Sequence, residues 1–475
     1  MLEVFKDKKK LLVNIVIVLC YAIFTFFIVL HHEIWEDEAQ VWLFAKNLSL
    51  PELFKHLFSE GHPPLFYLLV FPFAKLGLGV FSMQILCWLA SCVGVFLLFH
   101  YSPFKWWLNT SIVLSCGFLY AFPVIARSYS ILPFLVFLSA ILYQKRKEQP
   151  VLYSLSLFLI SMTHVIMLPF VFVLFILFLF ETLKEKRLNY KTVLSSFLLF
   201  LGIFYVLLLS FSAVSRNHFI NYHPDINFYT PLIFLMKFFS SALFEWSKIS
   251  MNCVYAYIIS FLILLAEIFR FSPKAFFIAF FSVLGQFLIY VLFYFSPVYQ
   301  TRIFSMFLII VFSYWICWKK CEDKVLKHNI SLLLSLFFIL TIFNGIKYIN
   351  DDYFGAYSGS KETAAYIEKN IPKNTLILTD VAQTSVSVLS YLKAHKLLYV
   401  PSDEIIKYAI WDKNTQDGFS QKQWSAYLSD KKGDVWLLLV DEKYIDNSQI
   451  LFVSPSSVAK KEKFYLLKYK GKENE

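Results

Sequence analysis

Charged side chains are scarce in this sequence of 475 residues. Asp, Glu, Lys and Arg make up 16% of it, hydrophobic residues make up 58%, and the mean hydropathy is +0.60. Soluble globular domains carry about 25% charged residues. The composition therefore excludes a soluble protein and predicts one that is built mainly from membrane-spanning segments.

Glycine is also scarce, with 13 copies against 54 of Phe and 28 of Tyr. Closely apposed membrane helices need small residues where they touch, so this imbalance argues against such pairs and favours lipid-facing and interfacial aromatic side chains. The polar C-terminal stretch lacks a glycine-rich phosphate-binding loop, and we therefore assign it no nucleotide. The sequence also lacks an internal repeat and any low-complexity segment.

Cysteine is absent from the polar C-terminal stretch, and all seven cysteines lie in or beside apolar runs. We therefore expect neither disulfides nor a zinc site, and we interpret the cysteines as small apolar core residues. The first apolar run, 11–30, follows four lysines as a signal peptide would, but it lacks a small-residue cleavage site. We interpret it as a retained first span.

Long apolar runs, separated by short basic clusters, fill the first 349 residues. A helix needs about 20 apolar residues to cross the hydrocarbon core, and Lys and Arg collect on the cytoplasmic side of such helices. The net charge of +11 is therefore explained by basic clusters that lie on the cytoplasmic side and contact anionic lipid headgroups. We expect no nucleic-acid partner. The runs predict an all-α polytopic membrane bundle of about eleven transmembrane helices in the plasma (inner) membrane, with a cytoplasmic N-terminus.

Two stretches complicate this count. Four runs lie between residues 64 and 145, where an odd number of crossings is required, so one run is re-entrant or two runs merge. The stretch 151–180 lies between two basic clusters and is long enough for two short helices that turn near Thr163 and His164. That turn would place His164 on the external side.

The tail, residues 350–475, has a different character. "KETAAYIEKNI" has helical spacing, whereas "TLILTD", "KLLYV", "DVWLLLV" and "KFYLLKY" are short runs of the β type. Helices that alternate with strands predict a small C-terminal α/β domain, which the span count places outside the cytoplasm. We therefore divide the chain into a transmembrane module, 1–349, and an extracytoplasmic α/β domain, 350–475.

The first external loop, residues 31–64 of the transmembrane module, concentrates polar groups beside the membrane. Apolar residues recur in it at roughly helical spacing, which predicts amphipathic helices in the headgroup plane. Four acids fall within six positions: Glu33, Glu36, Asp37 and Glu38. Capping and the helix dipole account for one or two acids at a helix start, so the surplus favours a functional role.

His62 lies near the end of this loop, directly before Pro63 and Pro64. Proline suits the first turn of a helix, so the pair is predicted to start the next span and to present His62 at the mouth of the bundle. A single interfacial histidine is equally compatible with a polar anchor and with a functional group. Arg127 has a similar pair of interpretations, as a snorkelling anchor or as a functional cation.

Four segments, in this order, resemble the GT-C class of membrane glycosyltransferases: "WEDEAQVWLFAKN", "EGHPPLFYLLVFPFAKLG", "ARSYSILPFLVFLSA" and "SMTHVIMLPF". The sequence is most similar to the bacterial branch related to protein O-mannosyltransferases and lipid A aminoarabinose transferases, and it resembles glycosyltransferase family 39. The resemblance is clear over residues 11–180. Over the remainder, only the hydropathy pattern is similar. It implies a GT-C-like fold, a polyprenyl- or dolichyl-phosphate sugar donor and an external active site.

The resemblance also implies roles for single residues. Asp37 matches the family's general base, with Glu38 beside it, and we predict both as catalytic residues. The predicted donor-phosphate-binding residues match the position before Pro-Pro and the family's Arg-x-Tyr, Thr-His and late-arginine elements: His62, Arg127, Tyr129, His164 and Arg302. "YQTRIFSMF" lacks the family's usual Arg-Tyr pair, so Arg302 fits its element only loosely.

These residue types suit transfer from a phosphodiester-linked sugar. A carboxylate takes the proton of the acceptor hydroxyl, and cations hold the departing lipid phosphate, with Arg best suited because its planar fork grips phosphate oxygens. We therefore expect an inverting glycosyltransferase that depends on a polyprenyl-phosphate sugar, a hexosyl- or pentosyltransferase of cell-envelope glycan biosynthesis. The sequence does not specify the sugar, or whether the acceptor is a glycan, a lipid or a protein.

Two alternatives to an enzyme remain open. The first is a lipid or glycan transporter or flippase without transferase activity, although the sequence lacks the two repeated halves expected of one. The second is a non-catalytic envelope assembly protein. Apart from the lipid-linked donor we assign no cofactor, and relatives differ in their use of a divalent metal. His218, His223 and Asp225 have no recognised ligand spacing, which favours a solvated loop over a metal site.

Overall fold

The computed structural model describes residues 2–216, 251–293, 300–410, 418–440, 445–457 and 462–472. Its helices, numbered in chain order, are α1 Leu2–His31, α2 Glu36–Asn47, α3 Leu50–Glu60, α4 Leu65–Lys75, α5 Phe81–Tyr101, α6 Trp106–Val113, α7 Leu132–Tyr143, α8 Pro150–Ser161, α9 Leu168–Lys184, α10 Tyr190–Arg216, α11 Met251–Phe271, α12 Pro273–Phe293, α13 Gln300–Cys317, α14 Lys324–Leu340, α15 Ile342–Phe354, α16 Ser360–Asn370, α17 Ala382–Tyr391 and α18 Gln421–Leu428. The strands are β1 Leu376–Thr379, β2 Lys396–Tyr399, β3 Glu404–Ile405, β4 Asp434–Leu439, β5 Ser448–Val453 and β6 Tyr465–Lys470. The loop with His218, His223 and Asp225 lies outside the described residues.

Seven helices in the described part of the chain are long and apolar enough to cross a membrane. They are Lys10–His31, Phe81–Tyr101, Val165–Lys184, Tyr190–Ser215, Pro273–Val291, Ile303–Lys320 and Lys324–Phe354. Shorter apolar helices lie at Leu65–Lys75, Ser128–Tyr143 and Pro150–Ser161. The protein is thus an integral membrane protein, and the predicted class, a polytopic helical bundle with a small C-terminal α/β part, is confirmed. The count of about eleven spans stays a prediction.

The apolar run at 108–126 does not form one continuous helix. α6 ends at Val113, a single π-helical turn follows at Gly117–Ala121, and a 3-10 turn at Ser128–Ile131 leads into α7. A Cβ atom at Gly117 would lie 2.8 Å from the ring of Phe304 in α13, so glycine permits this close approach. Irregular backbone at membrane depth is tolerated where protein buries it or where it lines a cavity. Here it holds Arg127 in an extended conformation between the two turns.

The stretch 151–180 forms two helices, as predicted. α8 ends at Ser161, α9 begins at Leu168, and a 3-10 turn at Val165–Met167 lies between them. Proline follows directly, in the first turn of α9, where a missing N–H breaks no helical hydrogen bond. The connection buries Thr163 and His164, whose exposed fractions are 0% and 2%.

The chain forms two compact units. The first consists of Met1–Val29, Leu57–Phe66 and Ile85–Tyr348, and the second consists of Leu30–His56, Tyr67–Gln84 and Ile349–Glu475. The second unit therefore contains most of the loop 31–64 together with the tail, whereas the division proposed from the sequence groups that loop with the transmembrane module. Within this unit α2 packs against α17.

The described residues of the tail form a six-stranded mixed sheet with the order β3-β2-β1-β4-β6-β5. β1 pairs in parallel with β2 and β4, and the other neighbouring pairs are antiparallel. Leu378, Leu437, Leu467 and the fully buried Trp424 of α18 belong to its core. The sequence predicts α16 and the strands β1, β2, β4 and β6. It does not predict β3, which is only two exposed residues long, or β5, an apolar edge strand that is only partly buried.

Candidate active site

Four of the predicted donor-phosphate residues form one cluster in the first unit. Arg127 directly precedes the 3-10 turn that contains Tyr129, His62 precedes α4, and His164 lies between α8 and α9. Arg127 Nη2 lies 3.5 Å from His62 Nε2, and Tyr129 Oη lies 2.8 Å from His164 Nε2. The two histidine rings meet edge to face, with 5.8 Å between their centroids. Three separate stretches of the chain thus bring these side chains together.

Hydrogen bonds assign the proton positions on His164. The backbone N–H of Ile166 donates to its Nδ1 over 3.2 Å, so Nδ1 carries no hydrogen. Nε2 then carries the hydrogen of the neutral ring and donates it to Tyr129 Oη. The hydroxyl hydrogen of Tyr129 is consequently directed towards an acceptor other than His164.

His62 has the opposite arrangement. Its Nδ1 lies 2.9 Å from the carbonyl oxygen of Glu60, which can only accept a hydrogen bond, so Nδ1 carries the hydrogen. Nε2 of the neutral ring therefore accepts from the guanidinium of Arg127. The side chain is half-buried, and imidazole is the side chain that gains a proton most readily near physiological pH. His62 can therefore become a second cation when an anion binds beside it.

The cluster has the chemistry of a phosphate-binding site. Arg127 is only 9% exposed, and a guanidinium that is shielded from bulk water attracts an anion more strongly than a surface one does. Its planar fork matches two phosphate oxygens at once. Tyr129 contributes a hydroxyl donor, and His62 contributes a nitrogen that can be protonated. Together these groups can bind a phosphate and can stabilise charge that grows on it.

The predicted general base lies in the second unit. α2 begins at Glu36, so the side chains of Glu36, Asp37 and Glu38 occupy its first turn, where acids complement the helix dipole. Asp37 is half-buried, whereas Glu38 is fully buried. The carboxylate of Glu38 accepts a hydrogen bond from the backbone N–H of Trp35 over 3.3 Å and thereby helps to cap the helix. The two adjacent acids therefore have different surroundings.

A buried ion cluster, formed by His32, Glu38 and Asp352, adjoins this turn. His32 Nδ1 lies 2.7 Å from Asp352 Oδ2, and His32 Nε2 lies 3.1 Å from Glu38 Oε2. Burial alone would lower the pKa of His32, but Asp352 and Glu38 raise it to about 10. The sequence does not predict this cluster, because Asp352 belongs to the far end of the chain. The one available signal was a histidine directly before an acidic segment.

Two further carboxyl groups of the second unit have raised pKa values. Burial raises the pKa of Glu33 to about 7, and burial together with the nearby Glu36 raises that of Glu462 to about 8. Glu462 accepts a hydrogen bond from the backbone N–H of Glu36 over 2.9 Å and another from the hydroxyl of Ser358. Glu462, which the sequence does not single out, thus supports the start of α2.

The remaining predictions concern Arg302, the metal and the assembly of the site. Arg302 lies in α13, and its side chain is outside the described part of the structure. Asp37 belongs to one unit and the cluster around Arg127 to the other, so their proximity stays a prediction. Among the described residues, no group of three or more His, Cys, Asp or Glu side chains could hold a metal ion. The use of a divalent metal therefore also stays untested.

Comparison with solved structures identifies the fold. ArnT from Cupriavidus metallidurans bound to undecaprenyl phosphate matches with a TM-score of 0.54 and 9% sequence identity, over 96% of this chain and 97% of that chain. The apo structure of the same protein matches with a TM-score of 0.54 and 8% identity, over the same shares of 96% and 97%. No protein-family model and no curated protein sequence matches this chain. The chain therefore has the GT-C-like fold of ArnT, as the resemblance implied.

Proposed function

We propose that this protein is an inverting glycosyltransferase that moves a sugar from a polyprenyl-phosphate donor to a cell-envelope acceptor on the external face of the membrane. The observation that carries the proposal is the cluster of Arg127, His62, Tyr129 and His164. It lies in a chain with the fold of ArnT, whose structure holds undecaprenyl phosphate. Because one fold can support several activities, the argument rests on the chemistry of the cluster.

The donor phosphate is proposed to bind between Arg127, His62 and Tyr129. The guanidinium supplies two parallel N–H donors and a fixed positive charge. His164 donates to the phenol oxygen of Tyr129 and so orients the phenol group, whose hydroxyl is proposed to donate to a phosphate oxygen. His62 is proposed to take a proton at Nε2 as the anion approaches, to exchange its hydrogen bond from Arg127 for one to the phosphate, and so to add a second charge. The side chain of Arg302 is proposed as a further contact, on the family resemblance alone.

Asp37 is the proposed general base. It accepts the proton of the acceptor hydroxyl while that oxygen forms a bond to the anomeric carbon. The bond between the anomeric carbon and the phosphate oxygen breaks at the same time, and its electron pair stays on the polyprenyl phosphate, where Arg127 and His62 stabilise it. Attack from the face opposite the phosphate inverts the anomeric centre. Glu38 is buried against His32, and we propose that it supports Asp37 and does not itself touch the acceptor.

The orientation in the membrane belongs to the same proposal. The basic clusters at 6–10, 145–147 and 184–191 would lie on the cytoplasmic side, in keeping with the preference of Lys and Arg for that side. The N-terminus is then cytoplasmic, and the C-terminal α/β part is outside. The sugar, a hexose or a pentose, and the glycan, lipid or protein acceptor depend on the shape of the binding pocket.

Replacement of Arg127 tests the phosphate site. Arg127→Gln is expected to lower kcat/KM for the donor by about 10- to 100-fold, because a charge-assisted hydrogen bond contributes about 1.5–3 kcal/mol. Arg127→Lys keeps the charge without the fork, so it should recover part of the loss. Initial rates of sugar transfer in detergent, at varied concentrations of a polyprenyl-phosphate sugar, measure both effects.

Arg146→Gln provides the matched control. Arg146 is also partly buried in the first unit, but it pairs with Glu181 over 3.0 Å and belongs to the loop after α7. Its replacement should leave the donor kinetics of the folded protein unchanged. An Arg127→Gln enzyme with wild-type kcat/KM would remove Arg127 from the donor site, and an equal loss in both variants would show that the effect is not specific to it.

A further inference from the structure

The ion cluster of His32, Glu38 and Asp352 consists of three ionisable side chains that are buried together. The side chains of His32 and Glu38 are 0% exposed, and that of Asp352 is 1% exposed. Both ring nitrogens of His32 face carboxylate oxygens, which accept hydrogen bonds when ionised, so both nitrogens carry hydrogen and the ring is an imidazolium. The cluster therefore places one imidazolium between two carboxyl groups.

The cluster joins three stretches of the second unit. His32 lies in the short connection between α1 and α2, Glu38 lies in the first turn of α2, and Asp352 lies near the end of α15. Further bonds hold the connection: Gln84 Nε2 donates to the carbonyl oxygen of His32 over 3.2 Å, and Tyr391 Oη accepts from the backbone N–H of Ile34 over 3.0 Å. The backbone leading into α2 is thus held from several sides.

Stability alone is a weak explanation for such a cluster. Removal of charges from water costs several kcal/mol per ion, and apolar residues of the same volume often stabilise a fold equally well. What a charged cluster does supply is a fixed orientation, because each ring nitrogen of His32 faces one carboxylate oxygen. Glu38 is fixed in this way, and its neighbour Asp37 on the same helical turn must follow its backbone.

We infer that His32 and Asp352 are positioning residues, which hold Glu38 and with it the first turn of α2, so that Asp37 points at the acceptor hydroxyl. This inference rests on the proposed function, because it assigns His32 and Asp352 an effect on the proposed base. Neither residue touches the substrate. A misplacement of a catalytic group by about 1 Å can cost on the order of 100-fold in rate, so loss of this support should appear in kcat.

The test compares His32→Gln and Asp352→Asn with the wild type. Both variants are expected to lower kcat by on the order of 100-fold while the donor KM changes less than about twofold, because the proposed phosphate site is left intact. Hydrogen–deuterium exchange of residues 36–47 should become faster in both variants, since α2 loses its anchor. Asp352→Glu keeps the charge and should restore part of kcat.

His31→Gln is the matched control. His31 is the neighbouring residue and is exposed, with its ring 4.2 Å from that of Tyr353. Its replacement should change neither kcat nor exchange in α2. If His32→Gln does not fold, Asp352→Glu and Asp352→Asn carry the test, with kcat measured on material that is monodisperse in detergent.

Two outcomes overturn the inference. One is a folded His32→Gln or Asp352→Asn protein whose kcat equals that of the wild type, while Asp37→Asn is inactive. The other is unchanged exchange in α2 together with a lower melting temperature, as expected for a merely stabilising cluster. Failure of the proposed function looks different, because the wild type then transfers no sugar, and the exchange experiment still tests whether the ion cluster anchors α2.

Discussion

Single residues beside α2 differ in the way that their surroundings set their charge. His32 is held as a cation by two carboxylates, and its pKa is about 10. Glu462 has a pKa of about 8, because it is buried and lies near the carboxylate of Glu36. One effect keeps a positive charge and the other suppresses a negative one. His32 bonds to Glu38, and Glu462 bonds to Glu36, both in the first turn of α2. Because the pKa of Glu462 is lower than that of His32, a rise in pH changes the charge of Glu462 first.

Glu462→Gln is expected to make stability less dependent on pH. The folded protein keeps the proton on Glu462 up to a pKa of about 8, whereas the unfolded chain loses it near the ordinary value of 4.5. The stability contributed by this group is therefore fully present below pH 4.5 and is lost as the pH rises through about 8. Gln keeps an acceptor for the Glu36 N–H and cannot ionise. Its advantage over Glu should reach on the order of a few kcal/mol in alkaline solution.

Thermal unfolding in detergent across this pH range measures the effect. Glu368→Gln is a control of opposite sign: burial alone would raise the pKa of Glu368, but the backbone N–H groups of Ala394 and Lys393 lower it. That variant should lose stability relative to the wild type once the carboxyl is ionised. Wild-type and Glu462→Gln melting curves that shift in parallel with pH would contradict the assignment.

At the scale of the secondary-structure elements, the polar groups of the site lie where helices are interrupted. The break between α8 and α9 is predictable, because 151–180 lies between two basic clusters and exceeds the length of one span. The break after α6 is not, since the close packing at this point is between Gly117 and Phe304, which are far apart in the chain. The same limit applies to the site: motifs identified Arg127, Tyr129 and His164, but only packing shows that Tyr129 bonds to His164.

Gly285→Ala tests the packing of α12 against α9. A Cβ atom at residue 285 would lie 2.5 Å from Cβ of Pro169, a rigid ring in the first turn of α9. Overpacking of this kind costs about 1–3 kcal/mol, which exceeds the gain in helix propensity of at most about 1 kcal/mol. The melting temperature in detergent should fall, whereas Gly79→Ala, where an added Cβ has no neighbour within 4 Å, should not change it. Equal melting temperatures for Gly285→Ala and the wild type would contradict this packing.

The molecule as a whole combines features that are local in sequence with others that are not. Hydropathy predicts the membrane class, alternating short runs predict the α/β tail, and the order of four motifs implies the fold that ArnT shares. Which segments belong to which unit could not be predicted from the sequence. That grouping depends on the packing of α2 against α17 and on the bond between His32 and Asp352. Contacts between the two ends of a chain leave no periodic pattern in either end.

The most direct test of the proposed transferase activity follows the fate of a labelled polyprenyl-phosphate sugar. The labelled donor is incubated with the purified protein and with an envelope extract as acceptor. We predict that the wild type releases polyprenyl phosphate and transfers the label to the acceptor with inversion. Asp37→Asn should bind the donor with unchanged affinity and lose at least about 100-fold in kcat, as expected when a general base is removed. A wild type that moves the intact lipid across a vesicle bilayer and never breaks the sugar–phosphate bond, or an Asp37→Asn variant with full activity, would contradict the account.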